Sequence, residues 1–312
     1  MEIVVLLPCY NEELTIGEVI DDFRRELPDS KIYVYDNNST DKTADIALEH
    51  GALVIREFKQ GKGNVVASMF RDIDADIYVM ADGDNTYPAE FVHNLIKPVL
   101  NGEADMVIGD RLSNGTYSKE NKRSFHDFGN QCVRAMINKL FKTKLKDIMS
   151  GYRVFNKKFV KNIPILSGGF EIETEMTIHA LDKNFKIKEI EINYRDRPIG
   201  SYSKLNTVRD GIKVIKTIFW LYKDFKPLFF FTWIFIFLFV MGLIIGIPVV
   251  VEYLETRYIE KVPSAILAVG LVNLSFLSLA SGFILDTIVK HNKQNFFLNL
   301  TNHIYRGKSP GN

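Results

Sequence analysis

Short apolar runs rich in β-branched residues alternate with longer amphipathic runs in the N-terminal third of the chain. The short runs predict β-strands over residues 3–7, 32–35, 53–55, 77–81 and 106–108. The runs between them predict helices over residues 15–27, 41–50, 62–73 and 89–100, the last beginning just after Pro88. Strands and helices that alternate in this way form βα units. We therefore expect an α/β domain with a doubly wound, mostly parallel sheet.

The pattern changes after this region, but it stays that of a folded domain. Further elements are predicted as a helix over 123–141, a loop over 150–152, a helix over 171–181 and a strand over 187–192. We interpret these elements as the second half of the same domain, which extends over residues 1–202.

Residues 203–226 carry apolar side chains at helical spacing, with lysines between them. The apolar positions are Leu205, Val208, Ile212, Ile215, Phe219 and Tyr222. This spacing places them on one face of an amphipathic helix, which suits a helix that lies on a membrane surface. A helix packed on the globular domain would need the same pattern, so the sequence leaves both interpretations open.

Two uncharged segments, 228–251 and 262–285, are each long and apolar enough to span a bilayer. Phenylalanines crowd the first segment and leave it no polar face, which argues against a pair of buried helices in a soluble core. The segments predict a transmembrane hairpin over 227–290, followed by a tail over 291–312.

The distribution of basic residues predicts the orientation of this hairpin. The connector between the two segments holds only Arg257 and Lys261. The flanks hold more: Arg209, Lys213, Lys216, Lys223 and Lys226 before the hairpin, and Lys290, Lys293, Arg306 and Lys308 after it. Basic residues are enriched in cytoplasmic segments. We expect a multi-pass protein of the plasma (inner) membrane whose N-terminal domain and both termini are cytoplasmic.

Composition adds two limits. The formal net charge of +1 over 312 residues gives no reason to expect nucleic acid as a partner. The 2 cysteines, Cys9 and Cys132, are too few for a disulfide framework and lack the paired spacing of a zinc site. The cysteine usage agrees with a domain in a reducing compartment.

Polar residues follow four of the predicted strands, at residues 8–12, 36–41, 82–84 and 109–111. Ligands of doubly wound sheets collect at the carboxyl ends of the strands. We therefore expect these residues to meet in one crevice.

Asp82-Gly83-Asp84 is the most informative of these groups. Two carboxylates separated by a small residue can hold Mg²⁺ or Mn²⁺ against a diphosphate, where the cation stabilises a departing phosphate. A solvated acidic turn would have the same residues. Asn11, Glu12 and the 36–41 segment could bind a base and a ribose, although an Asx-rich turn also explains them.

The order of these motifs resembles that of the inverting family 2 glycosyltransferases. The matching residues are Pro8, Tyr10-Asn11-Glu12, Asp36 with Ser39-Thr40-Asp41, Gly61-Lys62-Gly63 and Asp82-Gly83-Asp84. The chain is most similar to the polyprenyl-phosphate branch, which includes dolichol-phosphate mannose synthases and bactoprenol-phosphate glucosyltransferases. The resemblance implies a GT-A, Rossmann-like fold, and the two-helix tail resembles that of bacterial members. Gly61-Lys62-Gly63 lacks the spacing of a P-loop.

The resemblance also implies roles for the donor site. It places Pro8, Tyr10, Asn11, Glu12 and Asp36 at the nucleoside, Lys62 near the donor, and Asp82 and Asp84 at the metal and diphosphate. Asn37 and Asn38 depart from the Asp-Gly that is common in the family, so no role is assigned to them.

Basic residues near the membrane segment form a third group. In the family, the positions of Arg111, Arg123 and the stretch from Arg197 to Lys204 line phosphate sites. The resemblance implies that Arg111, Arg123 and Ser203 bind an acceptor phosphate, that Arg197 and Lys204 bind the donor, and that Arg111 acts with Asp82 and Asp84 in catalysis. Ordinary surface arginines would explain each position separately.

Two further groups have no assigned role. Glu171, Glu173 and Glu175 lie where many family 2 enzymes have a catalytic base, but a phosphate acceptor is already anionic, so we expect them to position other groups or to contact donor hydroxyls. His126-Asp127 departs from the small or apolar residues that are usual there. This pair could tune sugar or acceptor binding, or form a structural hydrogen bond.

The resemblance implies transfer of a hexose or N-acetylhexosamine, with inversion, from a nucleotide sugar to polyprenyl phosphate. We expect the donor to be linked to UDP, the cofactor to be Mg²⁺ or Mn²⁺, and the partners to be the nucleotide sugar, the lipid phosphate and the bilayer, with a homo-oligomer left open. One alternative is a processive polysaccharide synthase, although Gln131-x-x-Arg134 is followed by Ala135 rather than tryptophan. The other is a nucleotide-sugar-sensing subunit without activity.

Overall fold

The computed structural model describes residues 1–115, 124–169, 171–196, 216, 219–220 and 223–306, with the side chains of 124–130 and 301–306 left out. The chain divides into two compact units, Met1–Asp210 and Gly211–Asn312.

The first unit contains one seven-stranded sheet. Its strands are β1 (Ile3–Cys9), β2 (Lys31–Asp36), β3 (Leu53–Arg56), β4 (Ile77–Met80), β5 (Met106–Asp110), β6 (Arg153–Asn156) and β7 (Ile187–Glu191). The strand order is β3-β2-β1-β4-β6-β5-β7, and only β6 runs antiparallel to its neighbours. The predicted doubly wound, mostly parallel sheet is therefore confirmed.

Helices connect these strands in the predicted order. They are α1 (Ile16–Glu26), α2 (Thr43–Glu49), α3 (Lys62–Asp72), α4 (Val92–Leu100), α5 (Ser124–Phe141), α6 (Lys157–Asn162) and α7 (Ile172–Asp182), with a 3₁₀ turn at Ala89–Phe91 before α4. The sequence does not predict β6 or α6, because the short β6 run begins with a charged residue and continues directly into the helix.

The sheet is covered on both faces, as expected of a doubly wound fold. Val5 and Leu7 of β1 pack in one core cluster with residues of α1 and α4. Val4 and Leu6, which alternate with them and so point to the opposite face, are also fully buried. The central strand β1 is thus buried on both faces, and the residues that could bind a ligand lie at its carboxyl end.

Strand register brings the polar segments together at that end. Cys9 at the end of β1 pairs with Asp36 at the end of β2. On the other side of β1, Leu6 pairs with Met80 of β4, so Asp82 follows just beyond the paired region. The two loops that the sequence associates with nucleotide and metal therefore flank the end of β1.

The second unit contains two long helices, α8 (Pro227–Thr256) and α9 (Val262–Arg306). Both contain a stretch long and apolar enough to cross a membrane. The start of α8 lies against the central part of α9, since the Ser278 hydroxyl donates to the Phe231 carbonyl over 3.1 Å. Near the middle of α8, a Cβ at Gly242 would be 2.8 Å from Val272, so the helices form a closely packed antiparallel pair.

Candidate functional site

Hydrogen bonds tie the loops after β1 and β2 to each other. The Asn11 backbone, in a left-handed conformation with φ 54°, donates to the Ser39 hydroxyl over 2.9 Å. The Asn11 side-chain oxygen accepts from the Thr40 N–H over 2.8 Å, and the Glu12 N–H donates to the Thr43 hydroxyl over 2.8 Å. Asn11 therefore shapes the predicted nucleoside site through loop contacts. Tyr10, which precedes it, is 36% exposed.

Four carboxylates surround the end of β1. Burial raises the pKa of the Cys9 thiol well above its ordinary value, and the negative charges of Glu12, Asp36, Asp82 and Asp84 raise it further. These carboxylates follow three different strands, so the sheet brings together the acidic residues that the sequence assigns to nucleoside, metal and diphosphate. Their repulsion favours a cation at this edge of the sheet.

Gly83 allows the turn between Asp82 and Asp84 to lie against the end of β1. A Cβ at Gly83 would be 2.6 Å from Cys9 Sγ, and the Gly83 carbonyl accepts from the Thr15 hydroxyl over 2.7 Å. Asp84 is only 4% exposed and accepts from the Thr86 hydroxyl over 2.6 Å. The turn is thus a fixed part of the core and not a solvated loop.

Lys62 is the cation that faces this turn. Its Nζ lies 2.5 Å from Asp82 Oδ1 and 2.6 Å from Glu173 Oε1. Burial alone would lower the pKa of Lys62, but the charges of Asp82 and Glu173 raise it above its ordinary value. Lys62 is therefore a protonated, nearly buried cation that joins α3, the turn after β4 and α7.

The two glycines beside Lys62 have a packing role. A Cβ at Gly61, where φ is 127°, would be 2.0 Å from the Gly168 carbonyl oxygen, and one at Gly63 would be 1.8 Å from that of Ser167. Only glycine lets the 167–168 backbone lie this close to the start of α3. Gly61 and Gly63 thus fix the backbone position of Lys62.

Asn37 anchors the loop that leads to Lys62, a role that the sequence does not predict. Its amide nitrogen donates to the carbonyls of Glu57 and Lys59 over 2.9 and 3.0 Å. Its oxygen accepts from the Gly61 N–H over 2.7 Å. An aspartate could not donate to these carbonyls. This need for a donor explains why the chain has asparagine at position 37, where the family commonly has aspartate.

Arg111 forms a buried ion pair with Asp147. Its Nε lies 2.8 Å from Asp147 Oδ2, and its Nη2 donates to Oδ1 over 3.0 Å. Burial would raise the pKa of Asp147, but the charge and hydrogen bonds of Arg111 lower it. Arg111 also donates to the Tyr87 hydroxyl over 3.3 Å. The sequence prediction does not identify Asp147 or Tyr87 as partners of Arg111.

Tyr87 links this ion pair to the acidic turn. Its hydroxyl accepts from the Gly151 N–H over 2.9 Å, and burial raises the pKa of Tyr87 to about 12. A Cβ at Gly151 would be 2.9 Å from Asp82 Oδ2. A chain of contacts through Tyr87 and Gly151 therefore connects Arg111 to Asp82.

A fully buried arginine supports the loop that carries Gly151. Arg153, at the start of β6, donates to the carbonyls of Ser150 and Ile148 over 2.8 and 2.5 Å and to the Thr177 hydroxyl over 2.9 Å. Burial lowers the pKa of Arg153 to about 10. The loop therefore has an internal support, which the sequence does not predict.

The three glutamates near α7 have different environments. Glu173 contacts Lys62, as described above. Glu175 accepts from the backbone N–H groups of Leu166 and Ser167 over 3.0 and 2.9 Å, and so holds the segment that packs on α3. Glu171 precedes α7, and its carboxylate lies beside Gly169. The positions of Glu173 and Glu175 suit a positioning role.

The donor set at the acidic turn suits Mg²⁺ or Mn²⁺. Within the described part of the chain, no three His, Cys, Asp or Glu residues form a complete metal site. Such cations often bind one or two carboxylates, with substrate phosphates and water as the other ligands. Asp82 and Asp84 supply two hard oxygen ligands, so they fit a metal that arrives with a diphosphate and not a permanent protein site.

Several predicted residues lie outside the described residues. These are Arg123, Arg197, Ser203 and Lys204, with most of the predicted amphipathic helix over 203–226. The side chains of His126 and Asp127 are also not described. Pro8 lies within β1, where it pairs with Tyr35 of β2.

Comparisons with known proteins show which family and fold this chain resembles. The model of the family described as Glycosyl transferase family 2 matches residues 4–163. Glycosyltransferase AglJ of Haloferax volcanii is 34% identical over 233 residues, which cover 73% of this chain and 75% of AglJ. The dolichyl-phosphate hexose transferase of the same organism is 28% identical, over 70% of this chain and 92% of its own length.

A solved structure is similar in fold. It is the glucosyl-3-phosphoglycerate synthase of Mycobacterium tuberculosis in complex with Mn²⁺, UDP-glucose and phosphoglyceric acid. The TM-score is 0.54 at 23% identity, over 70% of this chain and 79% of the synthase. This similarity confirms the predicted GT-A architecture.

Proposed function

Because the chain belongs to glycosyl transferase family 2 and is a glycosyltransferase, we propose that it transfers a hexose or N-acetylhexosamine from a UDP-linked donor to undecaprenyl phosphate. Transfer occurs with inversion, and the product is a lipid-linked monosaccharide used to modify cell-envelope glycans. The protein acts as a multi-pass protein of the plasma membrane, with its catalytic unit in the cytoplasm.

The observation that carries this proposal is the acidic turn Asp82-Gly83-Asp84 at the end of β4. On one side it shares the end of β1 with Glu12 and Asp36, and on the other it lies beside Gly151, which Tyr87 links to Arg111. A donor diphosphate at the turn would lie between a nucleoside site and a guanidinium group that can bind phosphate.

The acceptor is inferred from two observations. Two helices are long and apolar enough to cross a membrane, so they would hold the protein in the bilayer that contains a lipid substrate. A relative similar over most of its length is named a dolichyl-phosphate hexose transferase. A lipid phosphate is anionic at neutral pH and needs no base to attack the sugar, which agrees with the engagement of Glu173 and Glu175 in other contacts.

In this mechanism the protein contributes mainly position and charge. Asp82 and Asp84 would hold a divalent cation, which stabilises the negative charge of the departing nucleoside diphosphate when it is bound. Lys62 adds a second positive charge beside Asp82. Arg111, with Arg123 and Ser203, orients the acceptor phosphate for in-line attack on the anomeric carbon.

A direct assay tests the proposal. Membranes that contain the protein are incubated with MnCl₂ or MgCl₂, undecaprenyl phosphate and, in turn, radiolabelled UDP-glucose, UDP-galactose and UDP-N-acetylglucosamine. We expect a labelled lipid with one donor, and its loss by at least about a hundredfold in Asp84→Ala. A polymer in place of the lipid would indicate a processive synthase, and no product with any donor would contradict the proposal. Normal turnover in a folded, membrane-inserted Asp84→Ala protein would contradict the metal role.

A further inference from the structure

Lys62 is shared between two carboxylates that belong to different parts of the fold. Its Nζ lies 2.5 Å from Asp82 Oδ1, on the turn after β4, and 2.6 Å from Glu173 Oε1, on α7. The Lys62 side chain is 12% exposed and that of Glu173 is 7% exposed. The contact with Glu173 is therefore shielded from most of the solvent, where charge pairing is strong, whereas the Asp82 side chain is 26% exposed.

The positive and negative charges of these three groups do not balance. One ammonium neutralises one of the two carboxylates, so the cluster of Lys62, Asp82 and Glu173 has a net negative charge. Removing a buried charge from its partner is costly. A cation that binds Asp82 must therefore compete with the Lys62 ammonium, which in turn still has Glu173 as a partner when it loses Asp82.

The backbone on both sides of this cluster is held in place. Lys62 begins α3, and its neighbours Gly61 and Gly63 lie directly against the carbonyls of Gly168 and Ser167. Lys62 can thus leave Asp82 and stay with Glu173 by rotation of its side chain alone, without movement of α3.

We propose that Lys62 is a built-in counter-ion of Asp82 that a divalent cation displaces, and that Glu173 is a positioning residue that retains the displaced ammonium beside the donor diphosphate. This inference rests on the proposed function, because it takes Asp82 as a ligand of the metal.

Two consequences follow for binding. Without a donor, the protein binds a divalent cation weakly, because the cation must break the contact between Lys62 and Asp82. With a donor, the released ammonium pairs with the diphosphate, so cation and nucleotide favour each other's binding.

A charge-matched double variant tests the inference. Lys62→Gln with Glu173→Gln removes one positive and one negative charge, so the net charge of the cluster stays that of the wild type while Asp82 loses its counter-ion. Mn²⁺ binding to detergent-purified full-length protein is measured without nucleotide, from the electron paramagnetic resonance signal of free Mn²⁺. We expect the double variant to bind Mn²⁺ about tenfold more tightly than the wild type. UDP binding with saturating Mn²⁺, measured by calorimetry, should weaken about tenfold.

Lys157→Gln with Asp74→Asn is the matched control. Lys157 Nζ lies 2.8 Å from Asp74 Oδ2 in an exposed ion pair, so this double variant also removes one positive and one negative charge. We expect it to leave Mn²⁺ binding at the wild-type value. Circular dichroism melts establish that each variant is folded. If the double variant does not fold, Lys62→Gln alone must bind Mn²⁺ more tightly.

The outcomes separate this inference from the proposed function. Equal or weaker Mn²⁺ binding in the folded double variant overturns the counter-ion role, even if the wild type makes the labelled lipid. Tighter Mn²⁺ binding in the variant, with no labelled lipid from the wild type, supports the counter-ion role and contradicts the proposed reaction.

Discussion

Asp147 illustrates how a single residue can determine the geometry of this site. It accepts from Nε and Nη2 of Arg111 and from the Arg111 backbone N–H, over 2.8, 3.0 and 3.1 Å. Asp147 is itself oriented, because its N–H donates to Glu189 over 2.8 Å. A paired guanidinium–carboxylate contact fixes the plane of the arginine. Asp147 therefore fixes the orientation of the Arg111 side chain.

We predict that Asp147→Asn destabilises the catalytic unit in a pH-dependent way. Arg111 lowers the pKa of Asp147 relative to the unfolded chain, although burial opposes this. A carboxylate with a lowered pKa stabilises the fold above its unfolded pKa of about 3.9, and this contribution is lost as the pH falls through the folded value. Breaking a buried pair costs about 3 kcal/mol near neutral pH.

The measurement is thermal unfolding of the wild type and Asp147→Asn, followed by circular dichroism over a series of pH values. The difference between the two proteins should be largest near neutral pH and shrink in acid. A difference that stays constant, or that grows in acid, would show that the charge of Asp147 does not stabilise the fold. Asp74→Asn is a control, because the Asp74 carboxylate pairs with Lys157 at the surface.

The sequence predicts residues of this site where they follow strands, and it does not predict those that come from distant segments. Asp82 and Asp36 stand directly after apolar runs, so strand topology alone brings them to one edge. Asp147 has no such marker, because its contact with Arg111 depends on tertiary packing. The sequence expects a positioning role for Glu173, but its contact with Lys62 also depends on tertiary packing. Asn37 is a similar case, since its partners are backbone groups of a loop.

At the scale of elements, two loops form one support for the donor side of the site. The loop before α3 is anchored by Asn37, and the segment before α7 is anchored by Glu175. The two loops touch where Gly61 meets the Gly168 carbonyl, and beside this contact Gly63 of α3 meets the Ser167 carbonyl. Lys62 extends from this junction, so its position depends on both anchors.

The sequence predicts six of the seven strands within about two residues at each end. Three of these strands, β1, β4 and β5, have apolar runs that are buried on both faces, which gives a clear signal. The missing strand, β6, is inserted between β4 and β5 and begins with Arg153. A charged residue argues against a central strand in sequence. Its burial is possible because the carbonyls of Ile148 and Ser150 and the Thr177 hydroxyl accept from its guanidinium.

We predict that Gly63→Ala separates the start of α3 from the segment before α7. A Cβ at this position would be 1.8 Å from the Ser167 carbonyl oxygen, a backbone atom that cannot rotate away. Overpacking of this kind costs about 1–3 kcal/mol. Thermal unfolding should therefore shift to lower temperature, and the KM for the nucleotide sugar should rise because Lys62 moves.

Gly270→Ala is the control for this substitution. Gly270 lies in α9, and no atom outside its own helical surroundings is within 4 Å of a Cβ built there. Alanine favours the helix over glycine by about 1 kcal/mol, so stability should not fall. Equal loss of stability in both variants would contradict the close contact between Gly63 and Ser167.

At the scale of the whole molecule, a catalytic unit and a helical hairpin are joined in one chain. In the hairpin, Phe235 and Phe239 of α8 pack on Phe276 of α9, and Ser278 donates to the Phe231 carbonyl. A polar side chain that bonds to the neighbouring helix is a typical contact between membrane helices. The sequence predicts the two segments from length and composition alone, whereas the contacts between them need the structure.

The proposed cytoplasmic orientation leads to a last prediction, which concerns the connector between the two helices. Tyr258 lies there and is 68% exposed, so a cysteine at this position is open to reagents. In a Cys132→Ser background, Cys9 is the only other cysteine, and it is buried. We expect Tyr258→Cys to react with a membrane-impermeant maleimide in intact cells, and Lys223→Cys to react only after permeabilisation. The excess of basic residues on the flanks gives the physical reason. Labelling of Lys223→Cys in intact cells, with Tyr258→Cys protected, would place the catalytic unit outside the compartment where nucleotide sugars are made.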